Sequence, residues 1–113
     1  MEKIEKEKRI KAEIKKFKKM FGNIPKDMIP LSDKLIEQCA FMCVAMDELQ
    51  ETLNNEGTTI VTPTGLTKDH PAVKSYNMFV KSYNQVTKQL LDMLPSQDQE
   101  DKDELLEFIN ARK

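Results

Sequence analysis

Seven basic side chains crowd into positions 8–19: Lys8, Arg9, Lys11, Lys15, Lys16, Lys18 and Lys19 surround a single acid, Glu13. Clustered ammonium groups can neutralise the backbone phosphates of a nucleic acid. That contact is independent of base sequence and weakens as salt rises. Lysine meets phosphate as a point charge, and in this run only Arg9 offers the planar fork that reads a base edge with two hydrogen bonds. The competing reading is a solvated helix laced with Glu–Lys pairs, such as Glu7 with Lys11. A Lys-rich amphipathic helix can also lie on a membrane, but the apolar stripe here is thin and lacks Trp and Leu.

Other chemistry finds little support. Cys39 and Cys43 share one helix face, and His70 is the one histidine. Metal sites want three or four soft or imidazole ligands. Two cysteines and a distant histidine do not make such a set, and small buried apolar residues are the expected role of both thiols. No nucleophile has a plausible base, no glycine-rich loop could cradle a phosphate, and no carboxylate pair has a reason to be perturbed. The expectation is a protein that is not an enzyme and needs no metal or cofactor.

At 113 residues with 33% charged side chains, three glycines and no Trp, the chain reads as one all-α domain with a tail. The net charge of −1 hides an asymmetry. Residues 1–34 carry eleven Lys/Arg against six Asp/Glu, and residues 95–113 carry three against six. A basic head and an acidic tail point to different contacts at the two ends. The longest apolar run is too short to span a bilayer, the charged first residues hold no signal-peptide core, and two cysteines within a helical turn build no disulfide framework. The expected setting is intracellular, soluble and free of membrane.

The elements that must position the basic run can be read from apolar spacing. A first helix over 2–21 carries Ile10, Ile14, Phe17 and Phe21 as one narrow stripe, and Gly22-Asn23 are expected to cap its end. Pro25 and Pro30 mark a linker. The best-patterned helix spans 31–53, with Ser32 as expected N-cap and a seam of Leu35, Cys39, Met42, Met46, Leu49 and Leu53. Phe41 and Val44 fall outside that seam. A helix apolar on more than one side needs cover on more than one side, which points to partner subunits. Residues 58–69 hold strand formers and a Pro63-Thr64-Gly65 turn, so a small β-hairpin or an extended loop is expected. A lone hairpin is marginal in water and would have to lie on the helices or pair with a neighbour. Pro71 opens a third helix running to position 94, whose apolar face includes Tyr76, Phe79, Tyr83 and Leu90. Pro95 ends it, and Ser96 is the expected cap of a last helix. That acidic helix, over 97–111, bears Leu105, Leu106, Phe108 and Ile109, ordering against a partner. Met20, Met28, Met42, Met46, Met78 and Met93 fit core spacing better than an adaptable binding surface.

The expected architecture is therefore all-α: an antiparallel helical hairpin (31–95), a basic N-terminal helix and linker (1–30) and an acidic C-terminal segment (96–113). A short loop or small β-hairpin joins the two long helices.

Over 31–95 the sequence resembles the small subunit of phage terminase, in the family common in long-tailed phages of Gram-positive bacteria. The resemblance rests on Asn55, Glu56 and Gly57 after the central helix and a polar loop with Gly65. It continues with His70, Pro71, Ala72 and Val73 opening a helix, then Tyr76 and Asn77, and closes with Gln89-Leu90 and Leu94-Pro95. The resemblance implies a non-enzymatic homo-oligomer that assembles as a ring in the host cytoplasm. It would bind double-stranded phage DNA at the packaging-start region and deliver it to the large terminase subunit, which holds the ATPase and nuclease. The two long helices would build the ring, the basic helix would face DNA and the acidic tail could dock the large subunit. Many members continue after the last helix with a basic segment. Here Pro95 is followed by SQDQEDKDELLEF, which favours a protein partner for this end. Two rival readings are a helical scaffolding protein without DNA binding and a small dimeric DNA-binding regulator, which would need a helix-turn-helix that the Gly22-Asn23 and proline spacing does not provide.

Overall fold

The computed structural model describes residues 2–95 and 99–111, without the side chains of 99–102. Four helices and one two-stranded sheet are present among them. The order is α1 (Lys3–Met20), α2 (Ile29–Glu56), β1 (Thr59–Val61), β2 (Thr67–Asp69), α3 (Pro71–Met93) and α4 (Gln99–Asn110). The all-α reading with a small antiparallel hairpin between two long helices holds. The body is a rod of 58 × 30 × 20 Å. Its radius of gyration, 16.9 Å, exceeds the ~13 Å of a compact domain of this length, because α2 alone, with 28 residues, is about 42 Å long.

Helix α2 is the axle. Leu35, Cys39, Met42 and Met46 of its seam are buried against α3, whose Tyr83 and Leu90 are fully enclosed. A second stripe, Ile36, Ala40, Cys43 and Val44, is buried on the side of Asp47, to which α1 is bonded. Part of the cover expected from partner subunits is thus supplied by α1, which lies over the Val44 side, whereas Phe41 stays 45% exposed. Ion pairs from Lys6 to Glu48 and from Arg9 to Asp47 show that α1 runs antiparallel to α2. The core is thickest where α1 ends, α2 begins and α3 ends. There Phe17, Phe21, Ile24, Leu35 and Leu90 meet Leu105 and Ile109 of α4. Phe108 packs edge-on to Phe17 with ring centroids 5.5 Å apart. The last helix therefore packs against the core of its own chain, with Leu106 left 42% exposed. The expected cap Ser96 lies outside the described residues. Met42 and Met46 are buried and Met28 and Met93 pack at the core edge, whereas Met20 and Met78 are exposed.

Several local expectations are corrected. Helix α2 starts at Ile29, after a 3₁₀ turn at Lys26–Met28. Pro30 thus belongs to its first turn, where proline has no hydrogen bond to lose. Ser32 is consequently not an N-cap: its hydroxyl is inside the helix and donates to the Ile29 carbonyl at 3.0 Å. Gly22 does not adopt the left-handed conformation of a C-terminal cap, since only Gly57 and Gly65 have positive φ. Instead the Phe21 N–H closes α1 on the Phe17 carbonyl. Leu49 and Leu53 are half-buried, because the seam runs out toward the hairpin and leaves the thick end of the core. Tyr76 and Phe79 are half-buried at its margin.

The hairpin is tied at both ends. Gly65, at φ 85°, takes a turn conformation that glycine alone adopts without strain, and the Thr62 hydroxyl accepts from the Leu66 N–H. At the base, the His70 N–H donates to the Thr58 carbonyl. His70 also caps α3: its Nδ1 accepts from the Ala72 N–H at 3.0 Å. That bond places the ring proton on Nε2, which meets Glu56 Oε1 at 3.1 Å. One residue thus joins the end of α2 and the start of α3 through its ring, and the sheet through its backbone N–H.

Two stability measurements check this packing and this cap. In urea unfolding, Leu90→Ala should cost about 2–5 kcal/mol, and Leu49→Ala distinctly less because its site is half-open. His70→Ala should cost about 0.5–2 kcal/mol, with His70→Asn retaining most of the cap; equal stability of wild type and His70→Ala would refute the capping role.

Candidate nucleic-acid interface

Helix α1 is built to stay straight with its charge outside. Glu5 lies in its first turn and Lys18 and Lys19 in its last, both favourable to the helix dipole. Ile10, Ile14, Phe17 and Phe21 face inward, with Phe17 fully buried. At about 100° per residue, Lys8, Lys11, Lys15, Lys18 and Lys19 fall within a ~100° arc opposite Phe17. All five are exposed. From Lys8 to Lys19 the row extends about 16 Å. Glu13 is on the inner side, buried, with its Oε1 3.9 Å from Lys16 Nζ. No acid of α1 interrupts the outward arc after Glu7.

The other expected site residues are placed differently. Arg9 points along the flank toward α2 and bonds Asp47 at 2.6 Å. Its guanidinium, the one group suited to base reading, is therefore engaged within the chain. Lys16 leans toward Glu13. Lys6, outside the expected cluster, bonds Glu48 at 2.9 Å and stands 5.6 Å from the Phe41 ring centroid. Phe41 in turn contacts Phe79 of α3. Glu7 and Lys11 do not form the pair their spacing allows. The signal for this flank was present in the sequence: the stripe Ile36, Ala40, Cys43, Val44 has the same spacing logic as the stripe on α1.

Chemically, a row of exposed ammonium groups on a helix seated in the core can neutralise a line of phosphates. It cannot itself discriminate bases. The acidic end sits close by, since Phe108 on Phe17 anchors α4 to α1, with Glu104 and Glu107 exposed. The thiols are of a different kind. Cys39 and Cys43 are enclosed in the core, and burial, then the neighbouring Cys43, pushes the Cys39 thiol up to about 12. It stays protonated and unreactive at neutral pH. His70 sits one residue before α3, and Cys43 is about 20 Å from the Glu56 end of α2, so these three residues are not brought together.

Comparison with protein-family models, with curated proteins and with solved structures returned no match.

The geometry assigns the holding of α1 to its apolar side. Phe17→Ala should cost about 3–5 kcal/mol in chemical unfolding. Asp47→Asn, which breaks an exposed ion pair, should cost under about 1 kcal/mol. The reverse order would mean that charge, not packing, seats the helix.

Proposed function

We propose that this chain is a non-enzymatic DNA-packaging adaptor, a small terminase subunit that binds duplex phage DNA and passes it to the large terminase. The observation that carries this reading is the row Lys8, Lys11, Lys15, Lys18 and Lys19, unbroken by acids on the outer face of a helix whose inner face is locked into the core. The ordered likeness of residues 31–95 to the small-terminase pattern gives that row its biological setting. In this reading the row meets phosphates without reading bases, and selection of the packaging start comes from DNA shape or from several subunits acting on one site. Homo-oligomerisation into a ring would multiply a weak, non-specific contact by avidity. The acidic face of α4, with Glu104 and Glu107 exposed, is the surface offered to the large subunit.

A helix-turn-helix regulator is less well supported. Helices α1 and α2 lie antiparallel along each other, whereas the two helices of that motif cross at about 90–120°.

The test is DNA binding at graded salt. If the five outward lysines each neutralise one phosphate, log K should fall against log salt with a slope of about −4 to −5, roughly a 500-fold loss between 50 and 200 mM. Replacing Lys11, Lys15, Lys18 and Lys19 by Glu should abolish binding while helix content is retained. Unchanged affinity of that variant would end the proposal, and absence of any salt-dependent binding would favour the scaffolding reading.

A further inference from the structure

The β-hairpin projects from the rod with its strands paired only to each other among the described residues. Its register opposes Thr59 to Asp69, Ile60 to Lys68 and Val61 to Thr67. The bonds His70 N–H to Thr58 and Thr62 N–H to Leu66 fix the phase of the ladder. Residues 58, 60 and 62 spend their backbone groups on β2, so the N–H and C=O groups of Thr59 and Val61 point to the outer edge. The two edges differ in character. The β1 segment reads Thr-Thr-Ile-Val-Thr over 58–62, β-branched throughout and uncharged, with Val61 72% exposed. Strand β2 carries Lys68 and Asp69, and edge lysine is a common guard against strand addition.

We propose that the β1 edge pairs with the β1 edge of a second copy, antiparallel across a two-fold axis, giving a four-stranded sheet in the order β2–β1–β1–β2. The occupant follows from self-complementarity. An axis through Ile60 sets Thr59 opposite Val61 of the second copy and Val61 opposite its Thr59. These are the residues whose backbone groups face outward, so the pairs exchange four N–H···O bonds without any shift of register. On one face Ile60 meets its own counterpart. On the other, Val61 lies beside Thr59 of the second copy, and no charge enters the contact. The same operation on β2 would centre on Lys68 and set two like charges opposite each other, which opposes pairing. A two-fold contact is isologous and closes on itself, unlike the head-to-tail contacts of a ring. It stands whether or not the DNA-packaging reading does, and within that reading it would join two rings or two subunits of facing rings.

Cross-linking tests it. The Ile60 residues would face each other as a non-hydrogen-bonded pair, with Cα atoms about 4.5 Å apart, inside the roughly 4.4–6.8 Å range of disulfides. The native Cys39 and Cys43 are 0% and 3% exposed, so the background is low. Full-length Ile60→Cys, oxidised and run on a non-reducing gel, should give a covalent dimer. Wild type and Lys68→Cys should not. Adding Val61→Lys to Ile60→Cys should remove the cross-link while circular dichroism is unchanged, because that side chain is on the surface. Cross-linking by Lys68→Cys alone would assign the contact to β2. Cross-linking only in a mixture of the two single variants would assign it to head-to-tail pairing of β1 with β2. No cross-link in any sample would show that the edge meets no copy of this chain. Each of these three results overturns the proposal, and none depends on DNA.

Discussion

Helix α2 is apolar along two stripes, and nearly everything else in the molecule answers the need to cover both. One stripe, through Leu35, Cys39, Met42 and Met46, takes α3; the other, through Ile36, Ala40, Cys43 and Val44, takes α1. Burial of this surface is what overcomes the entropy of ordering three long helices, since isolated helices are marginal in water. The ion pairs of Lys6 and Arg9 with Glu48 and Asp47 set the register of α1 on that surface and add little strength, being exposed. Because the inner side of α1 is fixed by Phe17 and Phe21, its lysines have nowhere to go but outward. The candidate interface is thus a by-product of core packing, which fixes the helix that carries it before any ligand arrives.

At the far end of the rod the logic changes from packing to backbone chemistry. Between Glu56 and Pro71 little apolar surface is enclosed, and order comes from directed bonds: the Gly57 N–H to Leu53, the His70 cap, the Thr62 hydroxyl in the turn. Such a segment holds its shape yet leaves two strand edges open to water. One edge is guarded by charge and the other is not. The molecule therefore has a charged end, where α1, α3 and α4 converge, and a neutral β tip about the length of α2 away.

Much of this was legible from spacing alone. The three- and four-residue recurrence of apolar side chains located the three long helices, and the Thr-Ile-Val run with Pro63-Thr64-Gly65 located the hairpin. What spacing did not carry was termination and pairing. Pro30 reads as a breaker, yet in a first helical turn it is harmless, so α2 began earlier than Ser32 advertised. Gly22 reads as a cap, but helix α1 closed at Phe21 because the Phe17 carbonyl was within reach of its N–H. The excess apolar face of α2 was legible, but sequence alone does not say which stripe an adjacent helix will take: α1 covers Val44 and leaves Phe41 exposed. The lysines were identifiable as a cluster, but that Arg9 turns to Asp47 while five lysines share one arc depends on how α1 is rotated against α2. The capping role of His70 gave no signal beyond its place before Pro71.

The aromatic contact between Phe17 and Phe108 has a consequence in time. The two residues are the first and last aromatic side chains of the core, and a ribosome making about 5–20 residues per second separates their appearance by about 5–20 s. Until α4 emerges, the part of the Phe17 ring that Phe108 contacts stays bare on a nascent chain that already presents its lysines. The early product is a sticky, cationic helical hairpin inside a cell full of nucleic acid. Completion of the acidic last helix, and not the folding of any single earlier element, is the step that seals the apolar end and moderates its charge.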